Sequence, residues 1–168
     1  MKTYENYPLW IVLFSNLVAL ATYVIGAYII YQAGLVWMLV YLIYVLVLEV
    51  RLVHGHCVNC YYYGKYCAFG KGKLSSLFFK KGDSKKFACM KITWKDIAPD
   101  FLVGVIPMII GIVFIVYDFS WLILVLVVAL FLLISFGSAF VRGSLACKYC
   151  RQRELGCSAE RLFSKGKK

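Results

Sequence analysis

FSWLILVLVVALFLLISFGSAFV, residues 119–141, carries no charged side chain over 23 consecutive positions. As a helix this run rises about 34 Å, enough for the roughly 30 Å hydrocarbon core of a bilayer. Three more runs lie upstream. Residues 8–31 are uncharged, 33–48 are uncharged and continue through Glu49 and Arg51 to Val53, and 101–117 sit between Asp100 and Asp118. The third is the shortest and spans only with interfacial help. Gln32-Ala33-Gly34 and Asp118-Phe119-Ser120 have room only for tight turns between antiparallel partners. The chain therefore reads as an all-α membrane protein with four transmembrane helices. Its 62% hydrophobic content supports this, since soluble domains are nearer half apolar. The first run reads as a span and not as a cleaved signal peptide: it exceeds an h-region, only Lys2 precedes it as a base, and no small-residue cleavage site follows.

The bases orient the helices. Both short turns lack Lys and Arg. Lys2 precedes the first span, Arg51 closes the second, nine bases fall in residues 54–98 and eight in 142–168, so all nineteen lie on one side. Short basic loops stay cytoplasmic. The expectation is a multi-pass protein of the cell membrane with both termini and the large loop inside. The formal charge of +11 then forms a collar against anionic lipid headgroups, each base near the surface contributing about 1 kcal/mol. Nucleic acid is not an expected partner, because no nucleic-acid motif accompanies the bases. A protein partner or an oligomer is compatible with the pattern.

The cysteines reveal a duplication. Cys57-Val-Asn-Cys60 with Cys67, and Cys147-Lys-Tyr-Cys150 with Cys157, are both C-x2-C-x6-C, and each follows a span. Pro8 stands 49 residues before Cys57, and Pro99 stands 48 before Cys147. Leu77-Phe78-Phe79-Lys80 follows the first triplet and Leu162-Phe163-Ser164-Lys165 the second. The chain divides into a first repeat (1–82), a linker (83–98) and a second repeat (99–168). Each repeat has two spans, which makes them parallel hairpins related by a pseudo-two-fold axis along the membrane normal, with a cytoplasmic Cys-rich cap. Residues 73–82 place Leu74, Leu77 and Phe78 on one helical face among Lys73, Lys80 and Lys81, the pattern of a segment lying in the membrane interface. Ser15 with Ala19, and Ser135 with Ala139, have the four-residue spacing of close helix packing. The Tyr61-Tyr62-Tyr63 run reads as an aromatic belt at headgroup level.

Cytoplasmic thiols are kept reduced, so disulfides explain the cysteines poorly. C-x2-C is the spacing at which two thiolates reach one metal from a tight turn, and paired motifs form the usual zinc pattern. Cys57, Cys60, Cys67, Cys147, Cys150 and Cys157 are the expected ligands. Cys89 completes one triplet and His54 or His56 the other, giving two tetrahedral sites. Neither loop nor tail has enough apolar sequence for a core of its own, so a metal would clamp them together. An iron-sulfur cluster is the main competitor, although the ferredoxin run ending in Cys-Pro is absent. Glu49, matched by Ala139 in the second repeat, is expected to pair with a Lys or Arg at the interface.

Four spans with a cysteine-rich loop between the second and third resemble, in architecture, the zinc-finger palmitoyltransferases. His54-Gly55-His56-Cys57 departs from their Asp-His-His-Cys signature, and the preceding zinc-ligand cysteines are missing. Three functions fit these features: a binding or scaffold component with a zinc-stabilised cap, a membrane redox protein carrying an iron-sulfur cluster or reactive thiols, and a Cys-dependent lipid or acyl transferase. No nucleotide-binding loop, no pair of carboxylates within a span and no Ser-His-Asp set marks an enzyme class.

The topology predicts that a cysteine placed in the 54–98 loop is silent toward a membrane-impermeant thiol reagent in intact cells and reacts once the cells are permeabilised. Labelling from outside would invert the orientation.

Overall fold

A run of apolar residues has only one way to satisfy its backbone in hydrocarbon, which is to bond internally as a helix. The computed structural model describes residues 3–83, 87 and 93–157. Within them every regular element is helical, with one isolated bridge between Tyr4 and Cys150. Pro8, extended at φ −63° and ψ 143°, opens α1 (Leu9–Tyr31). Gly34, at φ 128°, takes a conformation that side chains resist and reverses the chain into α2 (Leu35–Gly55). After the first cysteine segment comes a short α3 (Lys71–Phe78). The third long helix, α4, is Trp94–Tyr117. The fourth begins as α5 (Trp121–Leu132) and continues through a π-helical turn (Leu133–Gly137), the short α6 (Ser138–Phe140) and a second π segment (Val141–Ala146). Four of these stretches, Leu9–Tyr31, Leu35–Asn59, Lys95–Tyr117 and Trp121–Tyr149, are long and apolar enough to cross a membrane. At most 22% of any span's apolar window is buried, so most of that surface points outward, as it must where the solvent is lipid.

The third span is longer than its uncharged run because its start is capped. The Asp96 carboxylate accepts hydrogen bonds from the Thr93 backbone N–H (3.0 Å) and hydroxyl (2.7 Å), which fixes the first turn. The segment read as linker therefore gives up residues 94–98 to the helix, and Pro99 and Pro107 both lie inside α4. Pro107 has no N–H, which strips the Val103 carbonyl of its helical donor. Tyr41 of α2 replaces it, its hydroxyl donating to the Val103 oxygen at 3.0 Å.

α1 is the hub. It packs against α2, α4 and α5, and α4 touches all three of the other long helices. One core, Ile30, Tyr41, Val45, Leu48 and Val103, fills the space among α1, α2 and α4; a second, Ile29, Ile123, Val127 and Leu130, fills that among α1, α4 and α5. Glycines let the helices approach. A Cβ on Gly26 would lie 3.2 Å from Pro107 Cγ, and one on Gly111 2.4 Å from Val127 Cγ2.

The expected small-residue pairs are only half realised. Ser15 is fully buried, whereas Ser135 and Ala139 are exposed. Each π turn holds more residues than an α turn, so the phase computed from a 3.6 repeat slips and these two rotate outward. Gly137 takes the inward place, 3.2 Å from Val18 Cγ1 if given a Cβ.

Gly111→Ala is expected to destabilise the bundle by about 1–3 kcal/mol, since α4 and α5 must separate to admit the methyl group. Gly143→Ala, with nothing within 4 Å, should stay within about 0.5 kcal/mol of the parent. Equilibrium unfolding in mixed micelles measures both.

Candidate functional site

The two C-x2-C motifs fold alike. Each makes a 3-10 turn directly after a span, Cys57–Asn59 and Cys147–Tyr149. In each the second cysteine's N–H reaches back to the first's carbonyl, at 3.3 Å for Cys60 and 3.4 Å for Cys150. A second turn follows in both, Tyr63 N–H to the Cys60 carbonyl and Arg153 N–H to the Cys150 carbonyl, each 3.1 Å. The sulfurs are placed as acceptors. Cys60 receives the backbone N–H of Tyr62, Cys150 those of Gln152 and Arg153, and Cys67 that of Gly72 at 3.4 Å. Gly70, at φ 69°, turns the chain from Cys67 into α3. Gly72 is required by contact: a Cβ there would lie 2.1 Å from the Tyr62 carbonyl oxygen.

Loop and tail dock through tyrosines, which the sequence reading did not foresee. Tyr62, expected in a headgroup belt, is only 2% exposed. Its hydroxyl donates to the Tyr4 carbonyl (2.6 Å) and accepts from the Arg151 N–H (3.0 Å), tying three segments at one atom. Tyr7 donates to the Ala146 carbonyl, and its own N–H bonds the Tyr66 carbonyl at 2.9 Å. The buried Gln152 side chain accepts from the Tyr61 N–H at 2.7 Å. Tyr7, Ile11, Val12, Tyr62, Ala68 and Ala146 form a small core, and Cys60, Cys67 and Cys150 pack on it. This core is not the loop's and tail's own: Ile11 and Val12 come from α1 and Ala146 from the end of the fourth span, so loop and tail dock by borrowing apolar surface from the helices. Phenol rings supply apolar area and their hydroxyls pair the irregular backbone, so short polar-looking segments can bury each other.

Cys60 is the junction of the two triplets. Burial pushes its thiol up to about 12; the Tyr62 N–H opposes the shift, while Cys150, Cys67 and Cys157 lie close enough to raise it further. Cys150 is raised by burial too, against the pull of the Arg153 and Gln152 N–H groups. Cys60, Cys67 and Cys150 thus share one small core, and Cys147 is exposed. The histidines go elsewhere. His54 is exposed, its ring 5.1 Å from that of Phe79, and His56 stacks edge-on to Phe87 at 6.5 Å and lines a small pocket with Arg51, Asp96 and Asp100. Cys89 and residues 162–165 lie outside the described residues. Among the described residues no three His, Cys, Asp or Glu side chains stand in an arrangement that holds a metal ion.

No protein-family model matches the chain, and no curated protein or solved structure matches it significantly.

A second polar cluster lies where the cap meets the spans. Glu49 pairs as expected with a base: its carboxylate takes Lys71 Nζ at 2.6 Å and the Tyr23 hydroxyl at 2.6 Å. Lys71, the first residue of α3, is the partner that sequence distance concealed. Tyr23, a phenol well inside an apolar run, was the available clue.

Tyr62→Phe should cost about 1–3 kcal/mol by leaving two buried backbone groups unpaired. Faster amide exchange in residues 4–7 and 147–152, with the spans unchanged, is the expected signature.

Proposed function

We propose that this protein is a multi-pass component of the cell membrane whose two cysteine triplets form a cytoplasmic metal centre, with zinc as the metal, serving as a binding or scaffold cap against anionic headgroups. The observation that carries the reading is the pair of matching C-x2-C turns whose second cysteines, Cys60 and Cys150, pack on one small core, with the Gly72 N–H donating to the sulfur of Cys67 beside them. N–H groups aimed at sulfur favour the thiolate form that a metal binds. Uncompensated thiolates in a half-buried cluster repel one another, and a divalent cation removes that cost.

The proposed ligands come from Cys57, Cys60, Cys67, Cys147, Cys150 and Cys157. The parallel-repeat reading draws support from the packing. α1 and α4, the first helices of the two halves, meet at the centre, while α2 and α5 flank them. A two-fold axis between α1 and α4 exchanges the halves and brings both cysteine turns to one end.

Anaerobically purified protein is expected to hold at least one equivalent of zinc and to be colourless. Cys60→Ser and Cys150→Ser should each lose metal while the spans still insert. A brown protein with visible absorption would replace zinc by an iron-sulfur cluster. Less than one equivalent of either metal in the parent would refute the metal centre.

A further inference from the structure

A cavity of about 340 Å³ opens between α2 and α3. Leu46, Val50 and Val53 form one wall, Leu74, Phe78 and Phe79 the other, and Glu49 lies at the boundary between them. This volume falls within the range of small-ligand sites. The polar part of the wall is neutralised from behind, since Lys71 and Tyr23 both engage the Glu49 carboxylate. The remaining lining is apolar and would not hold ordered water. α2 is a membrane-spanning helix, so the open side of the cavity faces hydrocarbon. α3 turns its apolar residues the same way: Leu74, Leu77 and Phe78 are 45%, 72% and 73% exposed. The rim has one sign of charge. Lys73 precedes Leu74, Lys80 and Lys81 follow Phe79, all three are exposed, and residues 71–82 contain no acid.

We propose that this groove binds one acyl chain of an anionic phospholipid, with the headgroup phosphate held by Lys73 and Lys80. An acyl chain matches the lining, because it fills an apolar slot open to the bilayer without leaving a polar atom unpaired. The rim lysines match a phosphate carrying net negative charge, as juxtamembrane bases do at an anionic leaflet. A zwitterionic headgroup brings its own cation to the same lysines and gains less. The site differs from the general lipid annulus in having two walls, one from a span and one from an interfacial helix. The inference rests on the membrane reading given above and is independent of the thiol centre; zinc content measured on the same preparations keeps the two apart.

The test uses full-length protein in phosphatidylcholine vesicles containing a minor fraction of phosphatidylglycerol with a mid-chain diazirine. Photolysis followed by peptide mapping should place adducts on Leu46, Val50, Leu74 and Phe78 several-fold above those on Phe136 and Phe140, exposed residues of the fourth span. The same chain carried on phosphatidylcholine should lose that preference. Leu74→Trp, which fills the slot, should abolish the excess labelling. Lys73→Glu with Lys80→Glu leaves the lining intact and should reduce phosphatidylglycerol adducts to the phosphatidylcholine level. Uniform labelling of groove and fourth span would overturn the proposal. So would equal labelling by the two lipids, or groove adducts that persist in the double charge reversal.

Discussion

In hydrocarbon a backbone carbonyl without a donor has no water to fall back on, and that requirement governs the membrane part of this molecule. Pro107 breaks the bond that Val103 would have accepted, and the Tyr41 hydroxyl restores it from the neighbouring helix. The repair also fixes geometry, because a side chain of α2 can reach α4 only if the two helices hold one register. Gly26 sits beside both Tyr41 and Pro107, so α1 closes over the same spot. One unsatisfied carbonyl thus sets how three helices meet. The fourth joins through Gly111 and the core around Ile29 and Val127.

The cap obeys the same rule with different material. Residues 57–70 are mostly turns and 147–157 two short single-turn helices, so many of their backbone groups are not paired within regular elements. Tyrosine hydroxyls and the Gln152 amide supply the missing partners, at Tyr4, Ala146, Arg151 and Tyr61. Because these bonds run between segments far apart in sequence, satisfying the backbone and joining loop to tail are the same event. The cysteines inherit their proximity from that scaffold. Charged contacts at the edge, Arg151 with Glu5 and the Arg151 and Lys65 side chains over the Tyr61 ring, add little at such exposure but set the orientation of the docked tail.

Glu49 links the two regions. A carboxylate in a span is costly alone, and Lys71 removes most of that cost by reaching back from the cap side. The pair pins α3 against α2, which in turn creates the apolar slot between them. A salt bridge that reads as compensation for one acid thereby also positions a short helix.

The sequence by itself determined the four span-length helices and the turns between them, because hydropathy and length are read one segment at a time. It also determined the matched cysteine turns, since C-x2-C closes locally within three residues. The start of α4 at Trp94 escaped, because Lys95 and Asp96 hid a capped first turn behind charge. What only the tertiary structure decided involves partners distant along the chain: Lys71 for Glu49, Tyr62 buried between Tyr4 and Arg151, the rings of His54 and His56 against Phe79 and Phe87, Ser135 and Ala139 turned outward. Each depends on helix phase or on a hydroxyl meeting a remote backbone group. No local periodicity encodes either, because a π turn shifts phase without a composition signal and a phenol looks the same in a belt as in a core.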